Sequence, residues 1–536
     1  VTSHRQTVQA LSGLLIALFV STLSTTVVTT ALPSIIGSLQ GSQTAATWVV
    51  TATLLTTTAS TPIWGKLADL FSKKLLVQSA TVIFVGGSVL AGLSQDIGVL
   101  IGGRAIQGVG AGGLQALVQI SIGAMIAPRE RGRYAGYQSS ATAIATIGGP
   151  LLGGLIVDTS WLGWRWCFWL SLPIAVVALT ILQLTLNLPV IRRDRVRIDW
   201  FGATLISGGV SILLIWISFV DESFAWGSWQ TAAFVGSGVA LLALAMLVET
   251  RVPEPIVPLP ILGQRAVALA ILGSLAAGTA MYGASVFISQ YFQISRGHTP
   301  TQSGLLTIPM MVGILVASLI GGRLLSRTGA IKPFLVVGTT LLTLGFAGLS
   351  QIDHTTPIPL VSVAMLLVGS GVGLTAQNFV LLVQNSVQLK DIGAATSTVS
   401  FFRSLGGTIG VSVLGAVLAR QVSNQGATDL GSSGLPTGAS SDPVVAIHNP
   451  ATPGPVRAVL EATYGDVIGH IFLISAIVAL LGILAVLALK PVRLRTSLDL
   501  PDPLRSAAQG AEMVDGAAAV EELGTPAPGV TTSRSP

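Results

Sequence analysis

Apolar residues in this chain come in long, nearly unbroken runs rather than in the alternating pattern of half-buried strands. Crossing the hydrocarbon core of a bilayer takes about 20 residues of helix. Fourteen runs approach that length: 11–33, 46–64, 75–94, 97–126, 134–157, 165–187, 199–219, 230–249, 266–292, 303–323, 333–350, 358–386, 394–419 and 465–489. Lipid admits helices because they satisfy their own backbone hydrogen bonds. The pattern therefore predicts an all-α polytopic membrane protein with fourteen transmembrane helices. The first run is followed at once by others and carries no small-residue cleavage site, so it reads as a retained helix rather than a signal peptide.

Composition agrees. The 536 residues are 51% hydrophobic and only 9% charged, with mean hydropathy +0.76, too few charges to solvate a soluble protein of this size. Net charge is +6, and its distribution explains it without a nucleic-acid partner. Alternating the runs from a cytoplasmic N-terminus puts 22 of the 28 Lys and Arg residues inside, 4 outside and 2, Arg104 and Arg403, within the membrane. Cytoplasmic loops are enriched in this way, so both termini are expected in the cytoplasm. Cys167, the single cysteine, excludes an internal disulfide. The histidines lack ligand spacing, no GxxxxGK[ST] loop is present, and no nucleophile and base stand together on a loop. No enzyme activity, cofactor or metal is expected.

The chain divides by composition. Residues 1–190 are expected to form a six-helix bundle and 191–260 two inserted helices with basic and proline-rich linkers. Residues 261–490 form a second six-helix bundle with a long external loop at 420–464, and 491–536 a disordered cytoplasmic tail. GKLADLFSKK (65–74) follows the second run and GRLLSRTGAIK (322–332) the tenth. Parallel repeats of this kind are how alternating-access transporters are built, which argues for a transporter over a channel or receptor.

Within these units a few residues carry the candidate chemistry. Gly65, Lys66 and Asp69 occupy a tight turn, where glycine permits close approach and Asp69 can cap the next helix or pair with Arg129 or Arg131. Ser326 replaces the aspartate in the repeat. LIGGRAIQGVGAGG (100–113) buries Arg104, at a cost of roughly 2.5–3.5 kcal/mol unless it finds a partner or water. ATIGGPLLGG (145–154) places Gly149 and Pro150 in mid-helix with Gly153 and Gly154 a turn later, a bend that glycines let a neighbour approach. Polar and aromatic groups in apolar helices, namely Ser24, Gln115, Gln119, Tyr282, Gln290, Tyr291, Gln377, Asn378 and Arg403, are candidates for a substrate cavity. Arg403 either snorkels to the cytoplasmic side or lines that cavity.

Taken together, these motifs resemble the major facilitator superfamily and, within it, the fourteen-spanner drug:proton antiporter-2 family, over about residues 10–490. GKLADLFSKK is similar to the superfamily's loop motif, with Ser72 where glycine is usual. LIGGRAIQGVGAGG is similar to the fourth-helix motif, and ATIGGPLLGG to the fifth-helix antiporter motif with Ala145 at its first glycine. The resemblance implies a major facilitator fold of two six-helix bundles plus two inserted helices in a bacterial inner membrane. It also implies proton-linked multidrug efflux of amphipathic compounds by a monomer, with Arg104 taking part in proton coupling and Gly149 and Pro150 shaping the conformational change. Asp69 is the accompanying end carboxylate. The first helix departs from the family: Ser24 stands at the acidic position, and Asp158, Asp199 and Glu249 all lie at span ends. Coupling through an end carboxylate with Arg104, coupling by substrate charge, and movement without tight coupling all stay open. Export of a lipid or endogenous metabolite is the rival within transport, and a transporter-fold sensor or scaffold the rival outside it. Lacking a helix-1 acid, Arg104 is left to water, backbone carbonyls, the substrate or amides such as Gln107.

Overall fold

The computed structural model describes residues 4–39, 43–159, 161–186, 199–220, 224–252, 259–388, 391–436, 447 and 452–495. The helices are α1 His4–Ser38, α2 Gln43–Leu70, α3 Lys73–Gly92, α4 Ile97–Met125, α5 Pro128–Asp158, the short α6 Trp166–Trp169 and α7 Ser171–Thr185. They continue with α8 Trp200–Phe219, α9 Trp229–Glu249, the short α10 Leu259–Leu262, and α11 Arg265–Gln290 extended by a π-turn at Tyr291–Ser295. The last are α12 Pro300–Leu306, α13 Ile308–Thr328, α14 Ile331–Leu349, α15 Ile358–Ser386, α16 Ile392–Ser432 and α17 Gly454–Leu487. Two sequence runs are interrupted near prolines. Pro173 has no N–H for the Trp169 carbonyl and Pro309 none for that of Leu305, and the breaks fall at Leu170 and Thr307.

Among the described residues, 12 stretches are long and apolar enough to cross a membrane. The two remaining runs also fold as helices. α8 offers only the shorter apolar stretch Phe201–Ile217, and α2 is rich in threonine. Several of its polar groups reach across to α4: Thr53 and Thr57 donate to the Arg104 and Gly108 carbonyls at 3.2 and 3.0 Å, and Trp64 Nε1 to Val109 at 2.9 Å.

Helix pairings repeat. α1 packs on α4, α5 and α7, α2 on α4, and α3 on α4 and α7. Likewise α11 packs on α15, α16 and α17, α13 on α15, and α14 on α15 and α17. Exchanging α1, α2, α3, α4, α5 and α7 for α11, α13, α14, α15, α16 and α17 turns one set into the other. The sets meet along two seams, α2 against α16 and α5 against α13, which the same exchange interconverts. α8 lies along the first seam, where Val210, Leu214 and Ile217 bury against Phe401 and Leu55.

The cores show where the sets are joined. At the end carrying Lys66, Arg129, Arg323 and Lys332, here the basic end, one apolar cluster draws on both sets and includes Leu117, Leu325, Phe379 and Leu489. Towards the opposite end each set has its own cluster, one around Val27, Leu100 and Phe168, the other around Phe292, Phe346 and Phe472.

Two sequence expectations are corrected. Residues 420–432 and 454–464, expected in an external loop, are helical parts of α16 and α17. An apolar stripe of Leu418, Val422 and Leu430, buried with Val456 and Leu460, carries α16 onward despite its Gly and Ser. The expected tail at 491–536 begins with an ordered segment. Arg493 bridges to Ala330, and the Leu494 N–H donates to the Gly329 carbonyl at 2.9 Å. Residues 496–536 lie outside the described residues, as do the expected linkers at 187–198 and 253–258.

Candidate functional site

The first four N–H groups of a helix have no partner within it and attract negative charge. Asp69, at the end of α2, meets that need across the first seam: its two carboxylate oxygens accept the N–H groups of Gly393 and Ala394, each at 2.8 Å, at the start of α16. Close approach depends on Gly65, where a Cβ would overlap the Ser397 side chain and stand 2.8 Å from the Gly393 carbonyl. Lys66 is buried beside this contact. Burial pushes the Asp69 carboxyl up to about 7, against the lowering influence of the two N–H groups, Lys73 and Lys66. The expectation that Asp69 caps the next helix or pairs with Arg129 or Arg131 is corrected: it caps the facing set.

The second seam inverts the charges. Arg129, at the start of α5, donates from Nε and Nη2 to the carbonyls of Ser326 and Arg327 at 3.1 and 2.9 Å, where the C-terminal end of α13 favours a cation. Ser326 Oγ accepts the Arg133 N–H at 3.2 Å. The backbones touch at Gly132 and Gly322, since a Cβ on Gly132 would lie 2.8 Å from the Gly322 carbonyl oxygen.

Between the seams runs a buried polar network. Arg131 donates to the carbonyls of Ile126 (2.7 Å) and Gly123 and to Gln384 Oε1 (3.3 Å). Gln384 donates to the Gln119 carbonyl at 3.2 Å, and Ser400 Oγ to Gln119 Oε1 at 2.9 Å. The ordered C-terminal segment crosses beneath: Asn385 Nδ2 donates to the Arg493 carbonyl at 3.2 Å and its Oδ1 accepts the Arg495 N–H at 2.9 Å. The Arg495 carbonyl then accepts the Arg129 N–H at 3.1 Å, tying α15 to α5.

Arg104 is only 1% exposed. Its Nε donates to the Val49 carbonyl at 3.3 Å and its Nη1 to Gln107 Oε1 at 2.5 Å, while Gln107 Nε2 donates to Ser24 Oγ at 3.0 Å and Ser88 Oγ at 2.7 Å. Four helices of the first set thus enclose the guanidinium, and Ser24, itself 3% exposed, belongs to that enclosure rather than to a cavity wall. Arg104 and Asp69 are not brought together. Val49 and Asp69 lie at opposite parts of α2, about 30 Å apart at 1.5 Å per residue.

On α5, a Cβ at Gly149 would overlap the Thr26 side chain of α1, and Thr26 Oγ1 donates to Ala145 at 3.2 Å. Gly153 is buried, whereas a Cβ at Gly154 would find only Thr301 at 3.9 Å. α5 is helical through position 150.

The remaining predicted cavity residues separate into two groups. Gln119 is buried in the inter-set network, and Asn378 donates to its own helix at Leu374 (2.6 Å). Tyr291 is 1% exposed and donates to the Asp353 carbonyl at 2.8 Å, and Gln290 accepts from Tyr464 at 2.9 Å, so both knit the opposite end of the second set. These four are structural partners. Gln115, Tyr282, Gln377 and Arg403 stay half-buried, and Tyr282 of α11 meets α16 close to Arg403. Arg403 Nη1 donates to the Ala376 carbonyl at 3.2 Å. The Tyr282 ring covers Gly407, one turn beyond Arg403. Arg131, Gln384 and Asn385, marked in the sequence only by their polarity beside a basic loop, join Gln119 in the inter-set network. Among the described residues no three metal-ligating side chains cluster.

The family model described as Major Facilitator Superfamily matches residues 14–411. The chain belongs to the major facilitator superfamily. Among superfamily relatives, an uncharacterized MFS-type transporter of Mycobacterium tuberculosis is 34% identical over 457 residues, covering 85% of this chain and 66% of the relative. The multidrug transporter protein MdtP of Bacillus subtilis is 32% identical, covering 77% of this chain and 76% of its own length. The efflux pump dotC of Dothistroma septosporum is 32% identical over 92% and 85%. The chain thus spans just under two thirds of the mycobacterial relative. Two solved structures share the fold, each with TM-score 0.57 over 88% of this chain. One is the human organic anion transporter MFSD10, at 12% identity and 99% of its length. The other is the proton:xylose symporter XylE, at 13% identity and 94% of its length. The protein is a multi-pass membrane protein of this superfamily.

Proposed function

We propose that the protein is a secondary active exporter that moves amphipathic compounds, drugs among them, out of a bacterial cell by alternating access, with protons as the coupling ion. In this reading all fourteen runs span the inner membrane, α1–α7 and α11–α17 are the two rocking bundles, and α8 and α9 are inserted between them. The basic end faces the cytoplasm in this scheme, which the distribution of loop charges supports. The observation that carries the proposal is the division of the core: the bundles share one apolar cluster at the basic end and keep separate clusters towards the opposite end. Such a molecule is closed to the cytoplasm, and its seams are built from contacts that can part. Two seams related by an internal repeat are what a rocking carrier needs and what a static sensor or scaffold does not. The relatives described as a multidrug transporter and an efflux pump support export as the direction.

Asp69 is the proton-responsive group in this scheme, since Ser24 cannot ionise and Arg104 is enclosed. The test is purified protein in liposomes under an imposed pH gradient, followed for movement of an amphipathic dye, a labelled lipid and protons. Dye movement driven by the gradient is expected. Movement indifferent to the gradient removes the antiport reading, lipid movement alone favours the lipid exporter, and no movement of any solute favours a sensor.

A further inference from the structure

Two guanidiniums lie within the membrane span, and the structure treats them differently. Arg104 is sealed inside the first set with acceptors around it. Arg403 stands about 17 Å along α16 from Ile392 at 1.5 Å per residue, near the middle of a hydrocarbon core about 30 Å thick. It is too deep for its side chain to reach the cytoplasmic surface, which disposes of snorkelling. A guanidinium carries five N–H donors. Among the described residues Arg403 gives one bond to a protein acceptor, the Ala376 carbonyl at 3.2 Å, and makes no ion pair. The described acidic side chains lie at helix ends, in loops, or on the extensions of α16 and α17. Arg403 is also half-buried rather than enclosed. Beside it stands the Tyr282 ring, over the same face of α16 at Gly407.

An uncompensated cation in a low-dielectric setting is kept where something in the working cycle neutralises it. We infer that Arg403, with Tyr282, is the recognition site for the anionic group of an amphiphilic substrate, a carboxylate, sulfonate or phosphate attached to an apolar body. The guanidinium fork takes two oxygens of such a group at once, and Tyr282 supplies an aromatic face for the apolar body. The inference rests on the exporter reading above and narrows its substrates from amphiphiles in general to anionic ones. A cationic amphiphile meets a fixed positive charge with no carboxylate to offset it.

The test uses the full-length protein in lipid nanodiscs and three dansyl probes of matched size bearing a carboxylate, a neutral amide or an ammonium group. The expected order of affinity is carboxylate, amide, ammonium. Arg403→Gln should weaken the carboxylate probe about ten- to hundredfold, the worth of a charge-assisted hydrogen-bonded contact. The amide probe should keep its affinity, which doubles as the check that the variant is folded. Arg403→Lys should fall between, because the charge remains and the fork is lost. Equal weakening of all three probes, no change for the carboxylate, or strongest binding of the ammonium probe would each overturn the inference. Should Arg403→Gln not fold, the wild-type order and Arg403→Lys decide. In liposomes, transport of all three probes without charge preference sinks the recognition site and leaves the exporter standing. Charge-selective binding with no transport does the reverse.

Discussion

The carboxylate of Asp69 accepts the backbone N–H of Gly393, a residue 324 positions further along the chain, at 2.8 Å. One acid on one bundle thereby terminates a helix of the other. Because the contact is buried and its acid is held at about 7, the closed state is linked to pH. Once the seam parts and water reaches Asp69, its carboxyl returns towards the ordinary 3.8. Protons favour the state with the higher pKa. Closure is therefore favoured most fully below 3.8, and that preference is lost as pH rises through about 7. Between pH 8 and pH 6 the closed-to-open ratio should rise about tenfold. Spin labels at Ser72 and Gln388, in a Cys167→Ala background, would report it as a distance distribution. Asp69→Asn should flatten the dependence, and a ratio that falls on acidification would refute the linkage.

The α5–α13 seam gives a second prediction. Gly322→Val places side-chain atoms where the Gly132 carbonyl sits, and overpacking of this kind costs about 1–3 kcal/mol. The variant should populate the cytoplasm-open state about five- to 150-fold more than the parent, with little loss of overall stability because each bundle keeps its own packing. The same labels measure it. An unchanged distribution would mean that the seam yields.

Enclosure of Arg104 predicts a stability defect before a transport defect. Arg104→Ala leaves Gln107 Oε1 without its donor, and a buried group left unpaired costs about 1–3 kcal/mol. Thermal unfolding in detergent should shift downwards, and a normal melting temperature would return Arg104 to the list of purely functional residues. Ser24→Asp instead puts a carboxylate one amide away from the guanidinium and should alter the pH profile of transport.

The ordered C-terminal segment offers a fourth test. Asn385→Ala removes both bonds to it, each worth about 0.5–1.5 kcal/mol. The closed fraction should fall, and a chain ending at Leu489 should behave alike. Identical closure in both would make the segment a passenger.

Long apolar runs made the helices legible, and the repeated glycine and basic loops made the seams visible before their geometry was known. Partners were not legible. Arg104 stood out as a charge in an apolar run, yet Ser24, Ser88 and Gln107 lie on three different helices and become neighbours only through packing. The latch of Asp69 uses backbone N–H groups, which no side-chain pattern marks. The same holds for the segment at 491–495, whose bonds are largely main-chain. Residues 420–432 read as loop because Gly, Ser and Asn dilute an apolar stripe with only two buried residues there, Val422 and Leu430.

The hydroxyls of α2 that reach the carbonyls of α4 bear on how the protein is made. A threonine-rich segment of modest hydropathy gains little by leaving the translocon alone, since its hydroxyls find acceptors on α4 that have yet to be synthesised. α2 should therefore enter the bilayer late, together with α3 and α4, and not in strict order of emergence from the ribosome. A cysteine at Thr57 should react with a water-soluble maleimide in a nascent chain cut after Asp96 and be protected in the full chain. Protection in both would show that α2 inserts unaided.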